Sequence, residues 1–266
     1  MFSTIILGAG KSTRMKANKS KLLFDIAGKP IITHIIDAVR QAKCSEIICV
    51  VNRESKDLVQ LLKENKVNIA FQKKSNGTAG AAEAGSKIIS SKNRKVLILC
   101  GDAPFVTTQS IKNMIKKISN ADACVGTVEL DIPKGYGRII RQGNKISEIV
   151  EERDSSIEQR AIREVNTGVI SINNSILNKY ISEIKNNNVK KEFYLTDIIK
   201  ILISKNYKVN TFKFDDELEV TGVNSKVDLV NLEKKYLRRK AERLLEAGTL
   251  VRDPSKTEIR GDLKVK

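Results

Sequence analysis

The stretch from residue 5 to 15 constrains the fold most strongly. It begins as an apolar run of strand length, breaks at Gly8 and Gly10, and is followed by the cations Arg14 and Lys21. Glycines directly after a strand allow a tight turn that brings backbone N–H groups within reach of a phosphate. A simple turn would explain the glycines but not the two cations. The sequence therefore favours a phosphate-binding loop after the first strand.

Two familiar nucleotide-binding motifs fail on spacing. A Walker A loop needs a glycine five residues before its Gly-Lys-Ser, and Ile5 stands there. A dinucleotide fingerprint needs a third glycine where this chain has Thr13, and it needs an acidic residue near position 50 that the chain lacks. The loop must therefore serve another class of phosphate-binding protein.

The order of apolar runs predicts an α/β fold, Rossmann-like, with a mostly parallel sheet and helices on both faces. Apolar runs of strand length alternate with helical patterns over the first 121 residues: strands at 47–51, 67–71 and 95–100, and helices at 31–42 and 57–63. Gly28-Lys29-Pro30 is expected to open the first helix, with Pro30 in its first turn. From residue 122 the pattern becomes alternating and turn-rich, which predicts antiparallel strands at 123–130, 135–140, 145–150 and 164–172. Further elements are predicted as helices at 175–185 and 194–204, a strand at 209–214, and a charged helix at about 225–247 that Gly248 closes.

Several polar residues fall where open α/β sheets bind ligands. Asp102 follows the most hydrophobic strand, which favours a metal or phosphate role over a simple turn residue. Gln72 precedes a segment of small residues at 76–82, which suits either a flat ligand such as a nucleobase or tight packing of a helix on the sheet. Glu151 and Asn166 lie in the antiparallel part and would suit sugar hydroxyls, although exposed polar residues on strands are commonly just solvated.

Composition excludes some functions and leaves others open. The net charge of +17 suggests a nucleic-acid partner, but the lysines are scattered and aromatic residues are few, so a lysine-rich surface that attracts an anionic small substrate is favoured. One histidine, His34, and four cysteines without paired spacing argue against zinc sites and catalytic triads. No apolar run could span a bilayer and no signal peptide is recognisable, so we expect a cytoplasmic protein without a membrane partner.

The chain resembles the sugar-nucleotide pyrophosphorylases, and most closely the uridylyltransferase half of the bacterial bifunctional N-acetylglucosamine-1-phosphate uridylyltransferases/glucosamine-1-phosphate acetyltransferases. The resemblance keeps its order and spacing almost from the first residue to the last, through the segments 7–15, 77–79, 101–102, 135–139, 165–168, 194–199, 222–224, 244–248 and 252–254.

The resemblance implies a magnesium-dependent reaction in which the phosphate of N-acetylglucosamine 1-phosphate attacks the α-phosphorus of UTP and pyrophosphate leaves. It implies three groups of site residues. Catalytic residues would be Arg14, Lys21 and Asp102, with Mg²⁺ held by Asp102 and Asn224. Nucleotide-binding residues would be Leu7, Gly8, Ala9, Gly10, Gln72, Gly77 and Thr78, and sugar-binding residues would be Gly137, Glu151, Asn166 and Thr196. Asn224 could alternatively cap the helix that follows it, and the two roles could coexist.

The resemblance also implies a domain plan. A nucleotidyltransferase domain at 1–224 would divide into a nucleotide-binding part at 1–121 and a sugar-binding part at 122–224. A linker helix would follow at 225–250, and residues 251–266 would be the truncated start of a left-handed β-helix. Acetyl transfer, and the trimer that the β-helix builds in the family, are therefore expected to be absent.

The sequence departs from the family pattern near the base pocket and the loop. Ser20 replaces a usual proline, Cys100 a frequent tyrosine and Gly80 a common histidine, while Ser75 and Asn76 replace bulkier residues. No charged group is lost, but the contacts with the nucleobase are expected to differ from those of the family. A nucleotidyltransferase of the same fold with another base or sugar 1-phosphate is therefore one alternative, and a non-catalytic nucleic-acid-binding protein is another, suggested by the charge alone.

Overall fold

The computed structural model describes residues 1–10, 13–90 and 94–261. Its strands are β1 (Phe2–Leu7), β2 (Asp25–Ile26), β3 (Lys29–Pro30), β4 (Glu46–Val51), β5 (Asn68–Phe71), β6 (Lys95–Cys100), β7 (Ala123–Glu129), β8 (Arg138–Gln142), β9 (Lys145–Val150), β10 (Glu164–Asn173) and β11 (Val209–Lys213). Its α-helices are α1 (Ile31–Gln41), α2 (Lys56–Glu64), α3 (Thr78–Ser86), α4 (Thr108–Lys117), α5 (Ile157–Arg160), α6 (Asn174–Tyr180), α7 (Asp197–Ser204) and α8 (Lys226–Glu246).

One large mixed sheet forms the centre of the molecule. Seven of its strands follow the order β11-β7-β10-β6-β1-β4-β5, and β8 extends from β10 to pair with β9. Strands β5, β4, β1 and β6 are parallel to one another, and β10 runs antiparallel to β6 and β7. This arrangement confirms the α/β fold, the mostly parallel first part and the antiparallel strands after residue 122.

Helices cover both faces of the sheet because its strands are apolar on both sides. Along β1, the fully buried Ile6 belongs to the cluster that α1, α2, α4 and α8 complete. Its neighbour Ile5 belongs to the opposite cluster, with α3, α6 and α7. A strand buried on both faces reads as a continuous apolar run, which is how the sequence predicts it.

Some element boundaries differ from the predictions. Helix α1 begins at Ile31, with Pro30 just outside it as the cap residue. Helix α6 ends at Tyr180 and continues as a 3-10 turn instead of running to residue 185. Helix α7 begins at Asp197 rather than at Tyr194, because the preceding backbone is bonded to the segment before α3, as described below.

The long charged helix α8 lies within one residue of its predicted limits at both ends. Ser225 caps it and shares a capping box with Asp228, and Gly248 follows it with a φ of +89°. This corrects the alternative for Asn224, since the N-cap is the next residue. Within the described residues, no helix is both long and apolar enough to cross a membrane.

Candidate active site

Two adjoining cavities open at the edge of the sheet where the parallel strands end. The smaller, of about 540 Å³, is lined by nine of the predicted site residues: Leu7, Arg14, Thr78, Asp102, Gly137, Glu151, Asn166, Thr196 and Asn224. The larger, of about 1230 Å³, is lined by two more, Gly10 and Gln72. Residues spread over more than 200 positions in sequence thus meet at one edge, as the topology of open α/β sheets predicts.

Four of the predicted phosphate and metal residues form one bonded cluster. The Lys21 ammonium makes an ion pair with Asp102 Oδ2 and donates a hydrogen bond to Asn224 Oδ1 at 2.9 Å. The Arg14 guanidinium donates to the same Asn224 oxygen at 3.0 Å. Two cations and two oxygen-bearing side chains therefore converge at the mouth of the smaller cavity.

Backbone contacts hold the Asp102 and Asn224 segments together. The Val223 N–H donates to the Asp102 carbonyl at 2.8 Å, and a Cβ on Gly222 would lie 3.2 Å from Asp102 Oδ1. The Asp228 carboxylate accepts hydrogen bonds from the backbone N–H groups of Asn224 and Ser225. The turn before α8 is therefore fixed against the end of β6. The Ser-x-x-Asp spacing of a capping box is the sequence signal that identifies Asp228.

The cluster suits a magnesium ion chemically. Asp102 and Asn224 present a carboxylate and an amide oxygen to one ammonium, so these oxygens are near enough to share one cation. Magnesium prefers oxygen ligands and takes much of its coordination shell from water and substrate phosphates. In the ranges that the structure describes, no group of three or more His, Cys, Asp or Glu side chains could hold a metal.

A second group of polar residues forms the opposite wall of the smaller cavity. The Thr196 hydroxyl donates to Glu151 Oε1 at 3.0 Å, and Gly137 lies beside that carboxylate, since a Cβ there would be in ordinary van der Waals contact with it at 3.5 Å. Strands β8 and β10 join this wall through the Asn166 N–H, which donates to the Gly137 carbonyl at 2.8 Å. Burial raises the pKa of Glu151, and the Thr196 hydrogen bond opposes that shift.

The predicted base-binding segment needs glycine at position 77. Gly77 has a φ of +116°, and a Cβ there would overlap the backbone of Phe193. The Phe193 N–H donates to the Asn76 carbonyl at 2.8 Å and its carbonyl accepts from the Ala79 N–H at 3.0 Å. The Leu195 N–H donates to the Thr78 hydroxyl oxygen at 2.9 Å. These bonds occupy the backbone before α7, which explains why that helix begins late.

The glycine loop is anchored on neighbouring strands. The Gly8 N–H donates to the Val50 carbonyl at 2.8 Å, and the Asn52 side-chain amide donates to the Ala9 carbonyl at 2.7 Å. Sequence reasoning did not select Asn52, although it stands just past the carboxyl end of β4, as Asp102 stands past β6. Lys11, which the sequence suggests is less directly engaged than Arg14, lies outside the described residues.

The larger cavity is strongly basic. Five cations line it, Lys16, Lys19, Arg53, Lys56 and Lys73, against the two carboxylates of Glu54 and Asp57. Part of the excess charge of the chain is therefore concentrated beside the predicted nucleotide-binding residues. The neighbouring thiol of Cys100 lines the smaller cavity, but burial raises its pKa to about 12, so it is protonated at neutral pH and is no nucleophile.

The fold and the paired cavities define an α/β nucleotidyltransferase. A family model described as the MobA-like NTP transferase domain matches residues 4–137. The chain belongs to this family.

Similar proteins extend the comparison over almost the whole chain. It is 36% identical over 264 residues to a protein called bifunctional protein GlmU from Pseudoalteromonas atlantica, covering 99% of this chain and 58% of that protein. It is 38% identical over 259 residues to the GlmU protein of Methylobacillus flagellatus, covering 97% of this chain and 56% of the relative. These matches confirm the resemblance drawn from the sequence motifs. The chain spans less than two thirds of the length of these relatives.

A solved structure shares the fold at low sequence identity. It is a Bacillus anthracis protein described as a candidate glucose-1-phosphate thymidylyltransferase, crystallised with sucrose. The TM-score is 0.70 at 22% identity, and the match covers 88% of this chain and 94% of that one. This likeness supports the fold alone.

Proposed function

We propose that the protein transfers the uridylyl group of UTP to N-acetylglucosamine 1-phosphate, giving UDP-N-acetylglucosamine and pyrophosphate. One observation carries the proposal. The smaller cavity has the cationic, oxygen-rich cluster of Arg14, Lys21, Asp102 and Asn224 on one side and the hydroxyl-binding group around Glu151 on the other. A phosphate and a sugar on the same molecule would need such a pair of neighbouring groups.

The cationic residues would contribute most to catalysis of this reaction. Phosphoryl transfer depends on positioning and on neutralising charge, and it needs no covalent enzyme intermediate. Arg14 and Lys21 would stabilise negative charge that develops on the transferring and leaving phosphates. Lys21 holds Asp102 and Asn224 in this structure, so it would have to turn from them toward the phosphates when substrate binds. Asp102 and Asn224 would hold Mg²⁺, which would supply positive charge to neutralise the phosphates.

The acceptor would be held by the opposite wall. The Glu151 carboxylate can accept hydrogen bonds from sugar hydroxyls, and the Thr196 hydroxyl fixes its orientation. Because Asn166 is tied to Gly137, both would approach the sugar from one side. In this proposal residues 1–121 supply the nucleotide-binding part and residues 122–224 the sugar-binding part. The relatives named GlmU and the family model support a sugar-phosphate nucleotidyltransferase.

The product would be a precursor for the cell envelope, made in the cytoplasm where nucleoside triphosphates are available. A panel assay tests the proposal. Purified protein is given each of the four nucleoside triphosphates with several sugar 1-phosphates and Mg²⁺, and pyrophosphate release is measured. UTP with N-acetylglucosamine 1-phosphate should give the highest kcat/KM. Faster turnover with another sugar or base would contradict the proposal and favour the alternative nucleotidyltransferase, for which Asn76 and Gly80 are the structural reason. Absence of release with every pair, together with tight binding of nucleic acid, would favour the charge-based alternative.

A further inference from the structure

Gln72, at the end of β5, has both of its amide hydrogens engaged by the protein. The residue is 8% exposed and lines the larger cavity. Its Nε2 donates to the Gly77 carbonyl at 3.0 Å and to Asn76 Oδ1 at 3.2 Å. A side-chain carboxamide has two donor hydrogens and one acceptor oxygen. Among the described residues no group donates to Gln72 Oε1, so an acceptor is what this side chain can offer a ligand.

The orientation of the Gln72 amide follows from its partners. A backbone carbonyl can only accept a hydrogen bond, so the nitrogen of Gln72 must face Gly77. Asn76 supplies the second acceptor and uses the remaining hydrogen. Without Asn76, that hydrogen would be available to a ligand, and Gln72 could offer a donor as well as an acceptor.

Gly80 makes the position of Asn76 feasible. The three atoms nearest to a Cβ built on Gly80 all belong to the Asn76 carboxamide, and its Oδ1 would overlap that Cβ. Any larger residue at position 80 would therefore displace the acceptor that Gln72 uses. The two positions act as a pair, and both differ from the family pattern seen in the sequence.

The backbone that carries this pair is fixed. Phe193 bonds to Asn76 and Ala79 on either side of Gly77, and Gly77 has no space for a Cβ. The two acceptors that face Gln72, Asn76 Oδ1 and the Gly77 carbonyl, therefore lie on a turn that hydrogen bonds to Phe193 hold in place.

We propose that Asn76 is a positioning residue that occupies the second amide hydrogen of Gln72, so that the carboxamide offers only its oxygen to the nucleobase and the site selects uracil over cytosine. Uracil presents a ring N–H between its two carbonyls, which an acceptor oxygen can bind. Cytosine presents a ring acceptor at the same place, which an acceptor oxygen would repel. The inference rests on the proposed function for its nucleoside triphosphate site, and it does not depend on which sugar 1-phosphate is the acceptor.

The test measures binding of UTP and CTP by calorimetry in the presence of Mg²⁺, without any sugar phosphate. The wild type should bind UTP more tightly. Asn76→Ala and Gly80→Ala should each lower the UTP/CTP affinity ratio on the order of 10-fold, since the amide hydrogen that is released can then be donated to the ring acceptor of cytosine. Asn76→Asp keeps an acceptor beside Gln72 and should preserve the ratio even if both affinities fall. Ser75→Ala, a neighbouring change on the same cavity, is the control and should leave the ratio unchanged.

The double variant Asn76→Ala/Gly80→Ala distinguishes a pair from two separate effects. If both single changes remove the same acceptor, the double variant should show the ratio of either single variant. Equal weakening of UTP and CTP in Asn76→Ala would overturn the inference, because damage to the fold lowers both affinities together. Equal affinity of the wild type for UTP and CTP would overturn it too. If the preference for UTP depends on Asn76 but the enzyme turns over a different sugar phosphate, the inference is upheld and the proposed function is contradicted. No binding of either nucleotide would overturn both.

Discussion

Arg14 is the residue whose loss should affect turnover most directly. It is exposed toward the smaller cavity and donates to Asn224, so its removal leaves no buried group without a partner. Arg14→Ala should therefore fold normally, and kcat should fall on the order of 10²–10³-fold, because charge on the phosphates is no longer neutralised. Steady-state kinetics and thermal unfolding measure the two effects. Lys11→Ala is the matched control and should retain more activity; equal losses at both positions would contradict the role given to Arg14.

Asp102 and Asn224 should differ in how strictly they are needed. Asp102→Asn keeps the shape of the side chain but removes the charge, so we expect a folded protein without turnover at ordinary magnesium. Asn224→Ala removes a neutral ligand and should weaken activity in a way that added magnesium partly restores. Because Ser225 is the helix cap, Asn224→Ala should also leave the melting temperature of the protein close to that of the wild type.

Calorimetry gives a readout besides activity. Magnesium is titrated into each variant in the presence of UTP, and the heat of magnesium binding is measured. Asp102→Asn should lose the saturable heat of magnesium binding, and Asn224→Ala should shift its midpoint to a higher magnesium concentration. Near-wild-type turnover of Asp102→Asn at limiting magnesium would show that the metal site is wrong.

The environment of Glu151 predicts how the free energy of unfolding depends on pH. Burial raises its pKa above the ordinary value of 4.5, so the folded state binds this proton more tightly than the unfolded state does. The free energy of unfolding of the wild type should therefore fall as pH rises from about 4.5 through the raised pKa, and stay lower above it. Glu151→Gln does not titrate and should lack this decrease. Urea unfolding of both proteins from pH 4 to 8 measures the difference, and parallel curves would contradict the assignment.

The same variant should bind the acceptor less well. A charged acceptor of hydrogen bonds is lost, so KM for the sugar phosphate should rise roughly 10- to 100-fold. The KM for UTP should stay within a few-fold of its wild-type value, which separates loss of the acceptor site from general damage.

Helix α3 shows how packing can override helix propensity. Gly85 lies inside α3, where replacing glycine by alanine ordinarily stabilises a helix by up to about 1 kcal/mol. A Cβ on Gly85 would lie 2.7 Å from Ile5 Cγ2 and 3.1 Å from Val50 Cγ2, both in the core. Overpacking of this kind costs roughly 1–3 kcal/mol, so Gly85→Ala should destabilise the protein overall. Urea unfolding checks the sign.

A matched change in the same helix supplies the control. In an Asn76→Ala background, a Cβ at position 80 no longer meets the Asn76 side chain, so Gly80→Ala should show the ordinary stabilising effect. If Gly85→Ala stabilised the protein as much, the close approach of α3 to β1 and β4 would be disproved.

The elements also show what sequence can and cannot predict. Strands buried on both faces and the capped helix α8 follow from local pattern, so their positions were predictable. The start of α7 was not, because the Phe193 and Leu195 backbone bonds are made with residues more than 100 positions away. Within the candidate site, residues after strands were identifiable from the topology rule. Asn52 was not, because its partner is the Ala9 carbonyl, which only the folded structure brings near. Asp228 was identifiable from the Ser-x-x-Asp spacing of a capping box.

At the scale of the whole molecule, the proposed nucleotide-binding and sugar-binding parts share one sheet through the pairing of β6 with β10, and two further joints connect them at the candidate site. The turn before α8 is bonded to the end of β6, and the segment before α7 is bonded to the start of α3. Both joints lie beside the predicted substrates rather than at the far edge of the sheet. The relative position of base and acceptor sites is therefore set by backbone hydrogen bonds, and substitutions of surface lysines far from these joints should leave it unchanged.

The ammonium that Asp102 and Asn224 share has a thermodynamic consequence. A divalent cation that reaches this pair competes with a lysine already held there, so the free protein should have low affinity for magnesium. Phosphates that attract Lys21 remove the competitor, and by linkage nucleotide and metal should each strengthen the binding of the other. Lys21→Met should therefore bind Mn²⁺ alone more tightly than the wild type does, as measured by calorimetry, while nucleotide no longer enhances that binding. Metal affinity in the absence of nucleotide that is unchanged by Lys21→Met would show that no such competition exists. On this view the site is built for a metal–nucleotide complex that arrives as one ligand.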